Sequence, residues 1–181
     1  LGIERTIVVG IGLGGMTTVA LALRFPRRVS AIVPTACRVT LVPEYEAIWP
    51  PMIEKSAEKG IQGIVDITAS RWFPEAFRED NPEKMESIRA MIHRTSLDGY
   101  HGCIQALLSV DFATKLPSIP MPALFVSGAL DTIGGPPEVM QEMAQTVQNG
   151  QHLSLPAAGH ICNVANPGAY NHALLSFFES L

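Results

Sequence analysis

Three short stretches of this chain carry residue types that could do chemistry. The first is Gly10-Ile11-Gly12-Leu13-Gly14-Gly15. Through Gly10, Gly12 and Gly15 it matches G-x-G-x-x-G, in which glycines let a pyrophosphate approach a helix N-terminus. That fingerprint also wants an acid about 20 residues on to hold a ribose hydroxyl. The matching stretch, Pro34-Thr35-Ala36-Cys37-Arg38, has no acid, though Arg38 could serve a 2′-phosphate. The same glycines also match G-x-S-x-G, a strand-to-helix turn that presents a nucleophile, at every position but the centre. There Gly12 stands where serine is expected. The second stretch is Ser127-Gly128-Ala129-Leu130-Asp131 and the third is Pro156-Ala157-Ala158-Gly159-His160. Taken singly, Asp131 reads as a turn or cap residue and His160 as an ordinary loop residue. Taken in order, they supply what a serine nucleophile needs. A histidine takes its proton, and an aspartate fixes the imidazole tautomer and stabilises the imidazolium.

These stretches need elements to position them. Thr6 to Gly10 is a short β-branched run, as expected of a buried strand. Met16 to Arg24 has a helical pattern that Phe25-Pro26 ends, because proline disfavours helix at the residue before it. Val29 to Ala36 reads as a second strand, completing a βαβ unit. From Arg38 to about Leu116 no strand is evident. Glu44 to Lys59, Ile61 to Trp72, Pro82 to His93 and Ser96 to Val110 show apolar residues at three- and four-residue spacing, with helix starts at Asp80-Asn81-Pro82 and Ser96-Leu97-Asp98. The strand pattern returns at Ala123 to Ser127. It is followed by a helix over Pro136 to Val147, a strand over His152 to Leu155, a loop over Ala157 to Cys162 and a helix over Pro167 to Leu181. The expected architecture is α/β, a parallel sheet interrupted by an inserted block of four helices. The sheet part covers 1–37 and 117–181, and the insertion covers 38–116. Gly12, Asp131 and His160 then all fall at strand C-termini, where open α/β sheets gather functional groups.

On these residues the chain resembles the α/β-hydrolase superfamily. Within it the chain is similar to 3-oxoadipate enol-lactonases. The resemblance is carried by Ile7-Val8-Val9-Gly10 to Gly14-Gly15-Met16, by Arg71-Trp72-Phe73 with Phe77 and Arg78, by Pro122 to Val126 with Asp131, and by Ala158-Gly159-His160 with Asn163-Val164 and Pro167. It implies a Ser-Asp-His mechanism on a small ester or lactone carbonyl, without cofactor or metal. Position 12 would be the nucleophile, with Asp131 and His160 as its partners and Leu13 as one oxyanion-hole N–H. The inserted helices would form a lid, with Trp72 in the substrate pocket and Arg71 or Arg38 available to a substrate carboxylate.

The chain departs from that pattern in two ways. Glycine at position 12 has no side chain, so no acyl-enzyme can form there. Thr17 and Thr18 lie within the following helix, and Cys162, near His160, reads as a small buried hydrophobe rather than a substitute. The chain also begins at what would be the family's fifth strand, so a preceding segment of the same fold is expected. Two alternatives stay open: an NADP-binding oxidoreductase through Gly10, Gly12 and Gly15, and a non-catalytic hydrolase-fold protein that holds a small ligand.

Composition narrows the field. Among 181 residues, 13 Lys and Arg face 17 Asp and Glu, a net charge of −4, and 47% are hydrophobic. Mild acidity argues against a nucleic-acid partner, which usually needs a basic patch. The longest apolar stretch, Ile7 to Ala22, is broken by four glycines and two threonines, so no membrane partner is expected. Three widely spaced cysteines, Cys37, Cys103 and Cys162, suit neither a disulfide framework nor a zinc site. A reducing, cytoplasmic setting is expected. His93, His101, His152 and His172 are not spaced as a metal set.

Overall fold

The computed structural model describes residues 2–181. It divides into two compact units, one of residues up to Thr40 together with Asp111–Leu181, and one of Leu41–Val110. The sequence put these boundaries at Arg38 and Leu116. The flanking residues stay with the sheet unit, where Thr40 bridges Asp111 antiparallel and Phe112 N–H donates to the Val39 carbonyl.

The sheet unit is built on four parallel strands in the order β1-β2-β3-β4. β1 is Thr6–Ile11, α1 is Leu13–Arg24 and β2 is Val29–Thr35. Helix α1 begins at Leu13 rather than Met16, so two glycines occupy its first turn. Helix propensity disfavours them there, but Gly15 is packed too tightly to carry a side chain. A Cβ on Gly15 would lie 2.9 Å from the Cys37 sulfur and 2.8 Å from the Thr35 carbonyl oxygen.

The second pair of strands is β3 (Ala123–Gly128) and β4 (Gly150–Leu155). β2 and β3 are the inner strands, and every residue of β3 is buried. Pro34 lies inside β2, where central strands rarely admit proline. Its neighbours show why it is accommodated: Ile32 N–H donates to Pro122 O at 3.1 Å and Ala36 N–H to Val126 O at 2.8 Å. Pro34 falls midway between them and removes only the one donor of that alternating set. β1 and β4 are the edges, and on β1 Val9 is 42% exposed.

The helical unit comprises α2 (Pro43–Glu46), α3 (Trp49–Lys59), a 3-10 turn at Ile61–Gly63, α4 (Val65–Trp72), α5 (Glu75–Asp80), α6 (Pro82–His93) and α7 (Leu97–Leu108). It is therefore more finely divided than four continuous helices. The Glu44 to Lys59 pattern breaks before Trp49, with prolines at 50 and 51 in the first turn of α3. Gly60 (φ 68°) ends α3 and precedes the 3-10 turn. The two starts read from sequence hold: α6 begins at Pro82, and the Ser96 hydroxyl caps α7 by accepting from Gly99 N–H at 3.1 Å.

In the sheet unit, α8 (Pro137–Thr146) packs on β3 and β4. α9 (Cys162–Ala165) is a short helix in a stretch read as loop, and α10 (Pro167–Glu179) closes the chain. Ala31, Val33, Leu124, Val126 and Leu155 point to one face of the sheet and pack with Tyr170 and Phe177 of α10. Strand alternation sends Ile32 and Phe125, both fully buried, to the other face. With the inner strands buried on both faces, the sheet is a rigid base for the loops that leave its carboxyl ends.

Candidate active site

Gly12 is a one-residue hinge between β1 and α1. Its N–H donates to Thr35 O at 2.9 Å, extending the ladder to β2, and its carbonyl accepts from Met16 N–H at 3.1 Å, opening the helix. Both bonds can form only because the backbone turns sharply, at φ 56° and ψ −120°. A side chain there is strained, whereas glycine adopts these angles freely. The chain thus makes a sharp strand-to-helix turn at a residue with no side chain. Because β1 passes into α1 through Gly12 alone, the glycines form a turn rather than a cradle, which does not favour the dinucleotide reading.

The Asp131 and His160 loops leave β3 and β4 and are tied together before either side chain is placed. Ala129 N–H donates to Leu155 O at 2.8 Å and Leu130 N–H to Ala158 O at 2.8 Å. Gly128 completes the junction, since a Cβ there would run into the carbonyls of Ala158 and Gly159. The His160 ring then meets Asp131, with Nδ1 and Oδ2 3.0 Å apart.

The Asp131 side chain has no solvent exposure, and that of His160 is 16% exposed. A buried carboxylate is tolerated only if its lone pairs are filled. Ile133 and Gly134 N–H donate to Oδ1 at 2.9 and 3.0 Å, and Gly135 N–H donates to Oδ2 at 2.9 Å. Burial alone would raise the Asp131 carboxyl. The His160 hydrogen bond and charge, with the N–H groups of Ile133 and Gly135, outweigh it and hold the group below its ordinary value. An ionised carboxylate can only accept, so Nδ1 donates to it, and in the neutral ring Nε2 then presents a lone pair.

That lone pair faces position 12. A Cβ built on Gly12 lies 3.3 Å from His160 Nε2 and 3.8 Å from Cε1, with no other neighbour within 4 Å. Gly12, Asp131 and His160 are therefore brought together at the carboxyl end of the sheet. Leu13 opens α1, so its N–H has no partner within the helix.

Other residues singled out by sequence fall elsewhere. Arg38 Nε donates to Ile133 O at 3.2 Å, bracing the aspartate loop. Trp72 and Arg71 are half-buried at the end of α4, in the helical unit. Thr17 and Thr18 hydroxyls donate back to Leu13 O and Gly15 O at 2.8 and 2.7 Å. Burial, with the Asp131 charge beside it, pushes the Cys162 thiol up to about 12. Cys37 is raised to about 12 by the same two causes. Neither is a thiolate at neutral pH. His101 bonds Ser56 and His152 bonds Ser127, each at 2.9 Å. No group of three His, Cys, Asp or Glu among the described residues could hold a metal ion.

Sequence reasoning missed the three-donor cradle around Asp131. Asp131 followed closely by Gly134-Gly135 was its only trace, read as a turn. Ala36 (φ 45°) and Ala157 (φ 56°) also went unseen. Nothing in an alanine announces a left-handed backbone.

The parallel sheet, the elbow at Gly12 and the Asp131–His160 pair define the class: the chain belongs to the α/β-hydrolase superfamily. No family model matches it. Within the superfamily it is 32% identical to 3-oxoadipate enol-lactonase 2 of Acinetobacter baylyi over 96% of its length, and 26% identical to 3-oxoadipate enol-lactonase 1 of that organism over 100%. It spans 64% and 66% of those two relatives, just under two thirds of each. The enol-lactonase of Burkholderia xenovorans LB400 superposes with a TM-score of 0.91 at 28% identity, covering 98% of this chain and 66% of that one. A hydrolase from Pseudomonas aeruginosa PA01 gives 0.86 at 29% identity, over 97% and 65%.

Proposed function

We propose that the chain carries the acid–base arm of a hydrolase site for a small ester or lactone, and that Gly12 leaves the site able to bind substrate but not to acylate. The observation that carries this is the 3.3 Å between His160 Nε2 and the Cβ position of Gly12. A serine hydroxyl there would be within reach of the base.

In the serine-bearing form, Nε2 takes the hydroxyl proton as Oγ bonds to the carbonyl carbon. The carbonyl oxygen takes up the negative charge and accepts from Leu13 N–H. The C–O bond to the leaving alkoxide then breaks, and the imidazolium returns the proton to it. Water repeats the sequence on the acyl-enzyme with His160 again as base. With Gly12 the first bond has no donor atom, and the cycle stops at the bound ester. The names of the enol-lactonase relatives support the lactone class.

The test is Gly12→Ser in the full-length protein, assayed on p-nitrophenyl esters and enol-lactones and probed with a serine-directed phosphonate. Turnover and one equivalent of phosphonylation are expected. The absence of both would overturn the reading.

A further inference from the structure

The aspartate loop holds a feature that the triad pattern does not ask for. Gly134 lies against the His160 imidazole. A Cβ built on it would overlap Cε1 and Nδ1 and come within 3.1 Å of Nε2. Relief of such an overlap has to come from the loop or from the ring.

The loop cannot retreat. Gly134 N–H is bonded to Asp131 Oδ1, between the neighbouring bonds from Ile133 and Gly135. Behind it, Gly135 is pressed onto the strand-end backbone, where a Cβ would meet Cys37 N and come within 2.8 Å of Ala36 Cα. Ahead of it, Arg38 grips the Ile133 carbonyl at 3.2 Å. The ring is the only part free to give. Rotating or lifting it carries Nδ1 away from Asp131 and Nε2 away from position 12 together.

We propose that Gly134 is a positioning residue. Its missing side chain makes a flat seat that sets the imidazole plane, so that Nδ1 faces Asp131 Oδ2 while Nε2 faces position 12. Its effect on turnover rests on the function proposed above, but the seat itself does not.

The test therefore has two arms in the full-length protein. The first needs no activity. In the protein with Gly12 intact, the His160 Nδ1–H proton should resonate far downfield as a carboxylate-bound donor. Gly134→Ala should abolish that signal, while Gly168→Ala, whose Cβ meets nothing within 4 Å, should keep it. A thermal-unfolding cycle with His160→Ala separates a seat from a backbone requirement. Gly134→Ala should lower the midpoint when His160 is present and lower it far less when His160 is absent. A variant that folds only without the histidine also supports the seat. An equal cost in both backgrounds, including failure to fold in both, overturns it. So does a parent-like Nδ1–H signal in Gly134→Ala. The second arm uses Gly12→Ser, where Gly134→Ala should lower kcat by about 10²–10⁴ with KM little changed, the range expected for loss of a positioned base. Unchanged kcat there overturns the proposal. If Gly12→Ser alone gains no turnover, the functional reading has failed and the first arm still decides the seat.

Discussion

The two halves of the candidate site differ in what they keep. The Asp131–His160 arm has both its backbone framework and its side chains, with a buried carboxylate filled by three N–H donors and an imidazole. The elbow has its framework only: the turn, the ladder bond to Thr35 and the helix start are in place around a residue with no side chain. In the proposed function, the shape of a nucleophile elbow and its chemistry are separable. The turn is dictated by the β1–α1 junction and the close packing of Gly10 and Gly15, whereas reactivity rests on one hydroxyl.

The largest effect should come from making the two halves equal. Gly12→Ser in the full-length protein should raise ester turnover steeply, since losing the nucleophile from a comparable triad costs on the order of 10⁶ in kcat. Burst kinetics would show the acyl-enzyme. A rise that a serine-directed phosphonate fails to abolish would mean that the new hydroxyl does not attack.

Next in size is the loss of the intact arm. In the Gly12→Ser background, Asp131→Asn should lower kcat by about 10⁴, because the imidazole loses its tautomer partner. In the protein with Gly12, the same substitution should leave a pH signature in stability. The Asp131 pKa is depressed on folding, so its contribution is present above the unfolded aspartate value and is lost as pH falls through the folded one. Urea midpoints of parent and Asp131→Asn should differ at neutral pH and converge below about pH 4. A constant gap would show that the carboxylate is not the source.

The contrast also explains what the sequence made legible. β2 and β3 were readable because buried parallel strands are short apolar runs, whereas the edge strands follow that rule less well: β1 has no buried residue and β4 no β-branched one. The pairing of Asp131 with His160 followed from chain order. The start of α1 was misplaced because propensity counts glycines against a helix, while packing on Thr35 and Cys37 demands the one at position 15. The helical block was harder. Its amphipathic pattern runs through the Ala47–Ile48 and Gly60–Ile64 breaks, which are set by proline and glycine backbone rather than by hydrophobic spacing. The seat at Gly134 was illegible, since the lack of a side chain gains meaning only when a ring 26 residues further along the chain lies on it.

A smaller effect separates Cys162 from a substitute nucleophile. Its thiol is raised from 9.0 to about 12, so at a given pH its thiolate fraction is about 10³ below that of an ordinary thiol. Iodoacetamide followed by mass spectrometry should therefore label the exposed Cys103 first and leave the buried Cys37 and Cys162 unmodified in the folded protein. Early labelling of Cys162 would place a reactive sulfur beside the pair and remove the distinction between the two halves.

The smallest expected effect isolates the elbow's shape from its chemistry. Gly12→Ala adds a Cβ at φ 56°, a conformation that costs a residue with a side chain on the order of 1–3 kcal/mol. The Cβ also comes within 3.3 Å of His160 Nε2, so a small shift of the ring adds to that strain. Gly12→Ala should therefore lower stability by this amount and gain no turnover, while Gly12→Ser should carry a similar cost and gain turnover. Chemical denaturation of the three proteins side by side measures it. If alanine costs nothing, the backbone at 12 relaxes once glycine is replaced, and the elbow is held by its occupant rather than by the strand and helix around it.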